Sequence, residues 1–214
     1  MYIDIIIIAM IAGFIILRLR SELGKKTGNE PLPPAAGRGP VIDGYSEKVD
    51  APHTEHAVLD MESNQELRDF YKDIRKYDSH FDPVAFKEGA TNAYGMILEA
   101  FWAGDKDTLK GLLDDSVYEQ FSNAIDERAK NELTLENRLL DISNAKIASG
   151  HMAGNIAELT LQFTAEIVAV TRDRDGKVVD GDVSDASELN DMWTFARNIR
   201  SDDPAWMLVA TRTG

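Results

Sequence analysis

Two short stretches hold the residues whose types and spacing could do chemistry. His53 and His56 in HTEH set two imidazoles close together, and TRDRDGKVVDGD (171–182) places Thr171, Asp173, Asp175, Gly176 and Asp182 at positions one, three, five, six and twelve of a calcium-loop spacing. Neither pattern is complete. HTEH lacks the HExxH spacing that puts two ligands and a base on one helical face, and the chain has no cysteine to finish a zinc site. The calcium spacing starts with Thr171 in place of an acid and ends with Asp182 in place of Glu. Its flanks read as strands, so Asp175-Gly176 predicts a hairpin turn. His80, beside a helix start, and His151, in the turn ASGHMAGN, read as surface residues. No metal and no cofactor are expected.

Acid–base catalysis needs a titratable pair facing a pocket. The clearest strand, with Ala157, Leu159, Leu161, Phe163, Ala165, Ile167 and Ala169 alternating with Glu158, Thr160, Gln162, Thr164, Glu166 and Val168, turns only apolar residues inward. The chain therefore reads as a binding protein and not an enzyme.

The elements around that strand follow from caps and periodicity. Ser63 and Glu66 have capping-box spacing ahead of Leu67, Phe70, Tyr71, Ile74 and Tyr77, an amphipathic helix within 63–80 that either docks on the following domain or serves as a movable arm. Asp82 and Pro83 open a second helix through Val84, Phe86, Ala90, Ala93, Tyr94, Ile97, Leu98 and Phe101, which Gly104 ends. Asp105 or Asp107 starts a short turn, and Asp115 or Ser116 caps a helix through Val117, Tyr118, Phe121 and Ile125. Leu133 to Ile142 and Ala145 to Ser149 supply first strands, Asp180-Gly181 a second turn, and Met192 to Ile199 and Trp206 to Arg212 two further strands. Helices followed by successive strands predict an α+β fold with an antiparallel sheet.

Ahead of these elements lies IDIIIIAMIAGFIILRL (3–19), with eight Ile, two Leu and one Phe. At ~1.5 Å per residue a helix from Tyr2 to Leu19 covers about 27 Å, close to the ~30 Å hydrocarbon core, so residues 1–20 predict a transmembrane anchor. A cleaved signal peptide would need a cationic start and a small-residue cleavage site, whereas this run starts with Asp4 and is followed by RSELGKK. Arg18, Arg20, Lys25 and Lys26 flank its far end, which by the positive-inside rule puts the N-terminus outside and the bulk of the chain in the cytoplasm. Residues 21–62, rich in Pro, Gly and charge without apolar period, predict a flexible linker before the domain of residues 81–214. The chain carries −14 overall, but its first forty residues hold five bases against three acids, leaving the remainder at −16. Such a body repels phosphate, which excludes nucleic acid and suits basic protein partners or a solvated surface.

The stretches FDPVAFKEGATNAYGMILEAFWAGDKDTLKGLL (81–113), VYEQFSNAIDER (117–128), LTLQFTAEIVAVTRDRDGKVVDGD (159–182) and DMWTFARNIRSDDPAWMLVAT (191–211) resemble, in order, the Tim44-like domain family. That family includes the subunit tethering the import motor to the mitochondrial inner-membrane translocase, and alpha-proteobacterial members with an N-terminal anchor. The resemblance implies a cone of the nuclear-transport-factor-two-like, cystatin-like kind, in which helices and a curved antiparallel sheet enclose an apolar pocket. On this sequence the matching lining residues are Tyr94, Leu98, Phe101, Phe163, Trp193 and Phe195, which periodicity alone would place in a packed core. The implied role is an adaptor or scaffold at the bacterial inner membrane for protein partners in translocation or membrane-complex assembly; the alternative is binding of a lipid or small apolar ligand. The long basic, coiled region through which the mitochondrial protein contacts the translocase and the seventy-kilodalton heat-shock chaperone has no counterpart here, so those contacts are not carried over.

Overall fold

The computed structural model describes residues 64–213, so the expected anchor, the linker, Ser63, His53 and His56 lie outside the described residues. The first helix, α1 (Gln65–Arg75), is capped by Asn64, whose side chain accepts from the Glu66 N–H at 2.9 Å; the cap is one residue later than the Ser63 expected. Leu67, Phe70, Tyr71 and Ile74 form its buried face. The helix stops at Arg75, so Tyr77, expected on that face, is 55% exposed in the turn beyond.

The second helix, α2 (Pro83–Ala103), begins and ends where its sequence says. Asp82 accepts from the Val84 N–H at 2.8 Å, Pro83 occupies the first turn, and Gly104 takes the left-handed conformation at φ 76° that closes the last turn. Asp105 caps the short α3 (Lys106–Lys110), and Asp114 caps α4 (Asp115–Lys130) by accepting from the Val117 N–H, ahead of both Asp115 and Ser116, the caps expected.

The sheet is antiparallel throughout. β3 (Ile156–Arg172) lies at its centre, with β1 (Thr134–Leu135) and β2 (Arg138–Ala153) sharing one side, β4 (Val178–Asn198) on the other and β5 (Met207–Thr213) beyond β4. β2 is one strand where two were expected, and His151 sits on it opposite Glu158 instead of in a turn. Three register shifts, near Leu140, Ser143 and Ala148, bend this strand. On β3 the inward alternation holds from Ala157 to Ile167 and then changes phase, burying Val168 and Val170 in place of Ala169. The cause is on β4: Val168 pairs with Ala186 and Val170 with Gly181, so a single β3 residue faces the four residues 182–185. Asp180-Gly181 therefore pairs with β3 inside one continuous strand, next to a bulge at residues 182–185, and is not a turn. Gly181 has φ +82°, and a Cβ there would lie 2.0 Å from the Ala169 carbonyl oxygen. Asp175-Gly176 is the turn of the β3–β4 hairpin, as expected, and Asp173 accepts there from the N–H groups of Asp175 and Lys177.

Helices and sheet share one core, in which each fully buried large apolar side chain contributes roughly 1.5–3 kcal/mol. Of the two roles open to the first helix, the structure has the docked one. α1 lies on β2 so closely that a Cβ on Gly150 would come within 2.6 Å of the Phe70 ring. Arg197 of β4 pairs with Asp78 just beyond α1, and the Arg75 Nε donates to the Phe81 carbonyl. At the opposite side, the Asp114 N–H donates to the Leu208 carbonyl and the Leu208 N–H to the Leu112 carbonyl, which ties the start of α4 to β5.

Candidate functional site

α2 crosses the sheet with Phe86, Ala90, Tyr94, Ile97 and Leu98 turned inward, and β3 and β4 meet it with Phe163, Trp193 and Phe195. Tyr94 stacks on Phe163 with ring centroids 4.3 Å apart and planes at 16°, while Trp193 tilts against Tyr94 at 4.5 Å. Phe195 follows at 6.5 Å from Trp193 and meets Phe86 edge-on at 6.4 Å. Four of the six residues singled out from the sequence thus form one continuous aromatic array. Leu98 is buried in the same core. Phe101 stands apart, half-buried near the end of α2, packed on Phe121 at 5.0 Å and beneath the Arg128 guanidinium, which donates to the Phe101 and Trp102 carbonyls.

The array encloses an acid. Asp191 is 1% exposed, and the Tyr94 hydroxyl donates to its Oδ2 at 2.8 Å. Its Oδ1 has no hydrogen-bond partner, and neither has the Trp193 Nε1 two residues along the same strand face. Burial in apolar surroundings pushes the carboxyl up to about 6, against the lowering effect of the Tyr94 hydrogen bond; burial and the adjacent carboxyl together raise the Tyr94 hydroxyl above its ordinary range. A carboxyl with this environment holds a proton in mildly acid solution and carries a buried charge above it. The sequence contains the signal for it, because Asp191, Trp193 and Phe195 share a strand phase. Starting the strand at Met192 hides that phase.

Phe195 also borders a groove of about 250 Å³ lined by Ala85, Phe86, Gly89, Ala90 and Ala93 of α2 and by Trp206. Phe86 and Trp206 form its aromatic wall, with centroids 4.7 Å apart, and the Arg197 guanidinium lies 5.3 Å from the centre of the Trp206 ring. The small residues Ala85, Gly89 and Ala93 recur every fourth position, which leaves the helix surface low there. Of the six residues proposed from sequence, Phe195 lines this groove; the other five lie elsewhere. The arrangement suits apolar contact more than bond-making, since the buried carboxyl faces the aromatic array and not the groove.

The model of the Tim44-like domain family matches residues 67–213. A probable mitochondrial import inner membrane translocase subunit, tin-44, of Caenorhabditis elegans is 31% identical over 150 residues, 67% of this chain and 35% of that protein. The rat translocase subunit TIM44 is 30% identical over 69% of this chain and 33% of its own length. This chain thus spans about a third of the length of the mitochondrial relatives it matches. An uncharacterized protein of Rickettsia prowazekii is 28% identical over 96% of this chain and 95% of its own length. Among solved structures, the intermembrane space region of the chloroplast protein ARC6 aligns with a TM-score of 0.43 and 14% identity over 59% of this chain and 95% of that one. The extent of the family match, which takes in every helix and strand from α1 to β5 except the first residues of α1, means that the chain belongs to the Tim44-like domain family.

Proposed function

We propose that the chain is a membrane-anchored adaptor or scaffold whose α+β domain binds protein partners in translocation or membrane-complex assembly, and that it is a binding module and not an enzyme. The observation that carries this reading is the match to subunits of the mitochondrial import translocase, whose names place them at an inner membrane. In this reading residues 1–20 span the bacterial inner membrane with the N-terminus outside, and residues 21–62 tether the domain at the cytoplasmic face. Tethering raises the effective concentration of the domain near a membrane partner, so modest intrinsic affinity is enough. The near end-to-end match to the Rickettsia protein supports treating the segment ahead of the domain as part of the same design.

Cross-linking in intact membranes tests the adaptor role. Partner cross-links are expected to disappear when residues 82–214 are deleted; if all of them survive that deletion, the domain is not the binding part. Protease added outside spheroplasts is expected to spare the domain, and its digestion there would reverse the orientation.

A second reading is favoured by the groove at Phe86 and Trp206, whose apolar lining and volume suit part of an acyl chain or a small apolar ligand. Native mass spectrometry of the full chain separates the two. A stoichiometric co-purifying lipid, lost on Trp206→Asp, would support the carrier.

A further inference from the structure

β5 covers only part of the β4 edge. It pairs with Asp191–Ala196, and among the described residues no strand pairs with the same side of Ala186–Asn190. Those five residues keep regular register with Val168–Thr164 of β3, so their alternate N–H and C=O groups point outward, unpaired with any strand, in line with the lane that β5 occupies. The bulge at residues 182–185 closes the far end of this open lane. Its length, about 17 Å at ~3.4 Å per residue, takes a short extended segment and nothing longer.

The side chains say what that segment should carry. Asp141, Glu166 and Glu188 pair across β2, β3 and β4 and so stand in one row on the outer face, each about 5 Å from the next. Like charges directly opposite one another disfavour a sheet, and neither Asp141 nor Glu166 has an ion-pair partner among the described residues; Glu188 accepts only from the Asn190 amide. Of the bases in the neighbouring rows, Arg138 and Lys146 stand on β2, on the other side of β3, and Arg212, on β5 in the same lane, faces Met192 and donates to its sulfur. On the inner face, Leu189 is half-buried against the core, with Ser187 beside it. A strand added to this lane would extend the acidic row outward and the apolar layer inward.

We infer that Ala186–Asn190 is a strand-addition site for an extended basic segment of a partner protein, in which Lys or Arg alternates with apolar residues. The backbone of the segment would complete the sheet, a base would close the row begun by Asp141, Glu166 and Glu188, and an apolar residue would pack beside Leu189. A second copy of this chain is disfavoured at the same edge, because its own acids would meet this row. The inference rests on the binding-module reading and gives that reading a place and a partner chemistry.

An alternating lysine–valine octapeptide, added to the full chain in detergent, tests it by amide hydrogen exchange and fluorescence anisotropy. The expected result is slowed exchange at amides within Ala186–Asn190, binding weakened about tenfold or more by Glu166→Lys with Glu188→Lys, and no binding of the glutamate–valine counterpart. Binding without slowed exchange at those amides overturns the site, as does equal binding of the acidic peptide, or protection of the same amides by self-association alone. The exchange measurement needs no variant, so it decides even if the double substitution disturbs folding. Absent protection with membrane cross-links intact would remove this site and leave the adaptor role standing.

Discussion

The long β3–β4 ribbon has two ends that share a backbone pattern and little else. Toward the Ile156–Asn198 end, Leu159, Leu161, Trp193 and Phe195 are sealed under α2, and β4 is paired on both sides. Toward the hairpin, β4 is paired with β3 alone, and Val178, Val179 and Val183 are exposed among Asp180, Asp182 and Asp185. Continuous hydrogen bonding makes a ribbon; burial decides which half of it holds the molecule together.

Substitutions at matched positions in the two halves should separate these contributions. Trp193→Ala removes the largest fully buried side chain of the inner half and is expected to cost roughly 3–5 kcal/mol in urea denaturation. A loss below about 1 kcal/mol would mean that the aromatic array is not the source of stability.

Asp191 should make the inner half sensitive to pH. Its folded-state value is raised from 3.8 to about 6, so the folded protein keeps a proton that the unfolded chain has released. The stabilising contribution is complete below about pH 3.8 and is lost as the pH rises through about 6, a change of roughly 3 kcal/mol. Asp191→Asn keeps an acceptor for the Tyr94 hydroxyl without the charge. It is expected to flatten this dependence and to exceed the parent in stability at neutral pH, as read from urea midpoints taken across about pH 4 to 8.

In the outer half, Gly181→Val meets both a positive φ and the Ala169 carbonyl, and should cost about 1–3 kcal/mol. Amide exchange should quicken around residues 178–186 and stay unchanged in α2; quickening throughout would show that the two halves are one cooperative unit. Val183→Ser, at a 59% exposed position, is expected to change stability by no more than about 0.5 kcal/mol.

The same contrast governs what could be read from the sequence. α2 was legible end to end because its signals are local: a capping acid, a proline at the start and a glycine at the end. The alternation of β3 was legible as far as Ile167 because one face is buried without interruption. β2 was not, since its bulges place the half-buried Leu139, Ile142 and Ala145 at intervals of three, which blurs the period of a strand. Asp180-Gly181 has the composition of a turn, and only its pairing with Thr171 and Val170 reveals a strand that continues into the bulge at residues 182–185. The aromatic residues of the candidate site are named by the family resemblance, and their strand and helix phases alone place them in a packed core. The groove could not be read, because Trp206 joins Phe86 and Ala85 through tertiary packing that no sequence interval records.

The contact between Phe70 and Gly150 has a mechanical consequence. Any pull on the chain ahead of Asn64 enters the domain through α1, and α1 is seated on β2 by a ring that fits where a side chain is missing. Leu67 and Phe70 are the first buried side chains after Asn64, so they meet that load ahead of the residues of the sheet. Alanine at residue 150 would loosen that seat, and the domain would then begin to open under a weaker pull.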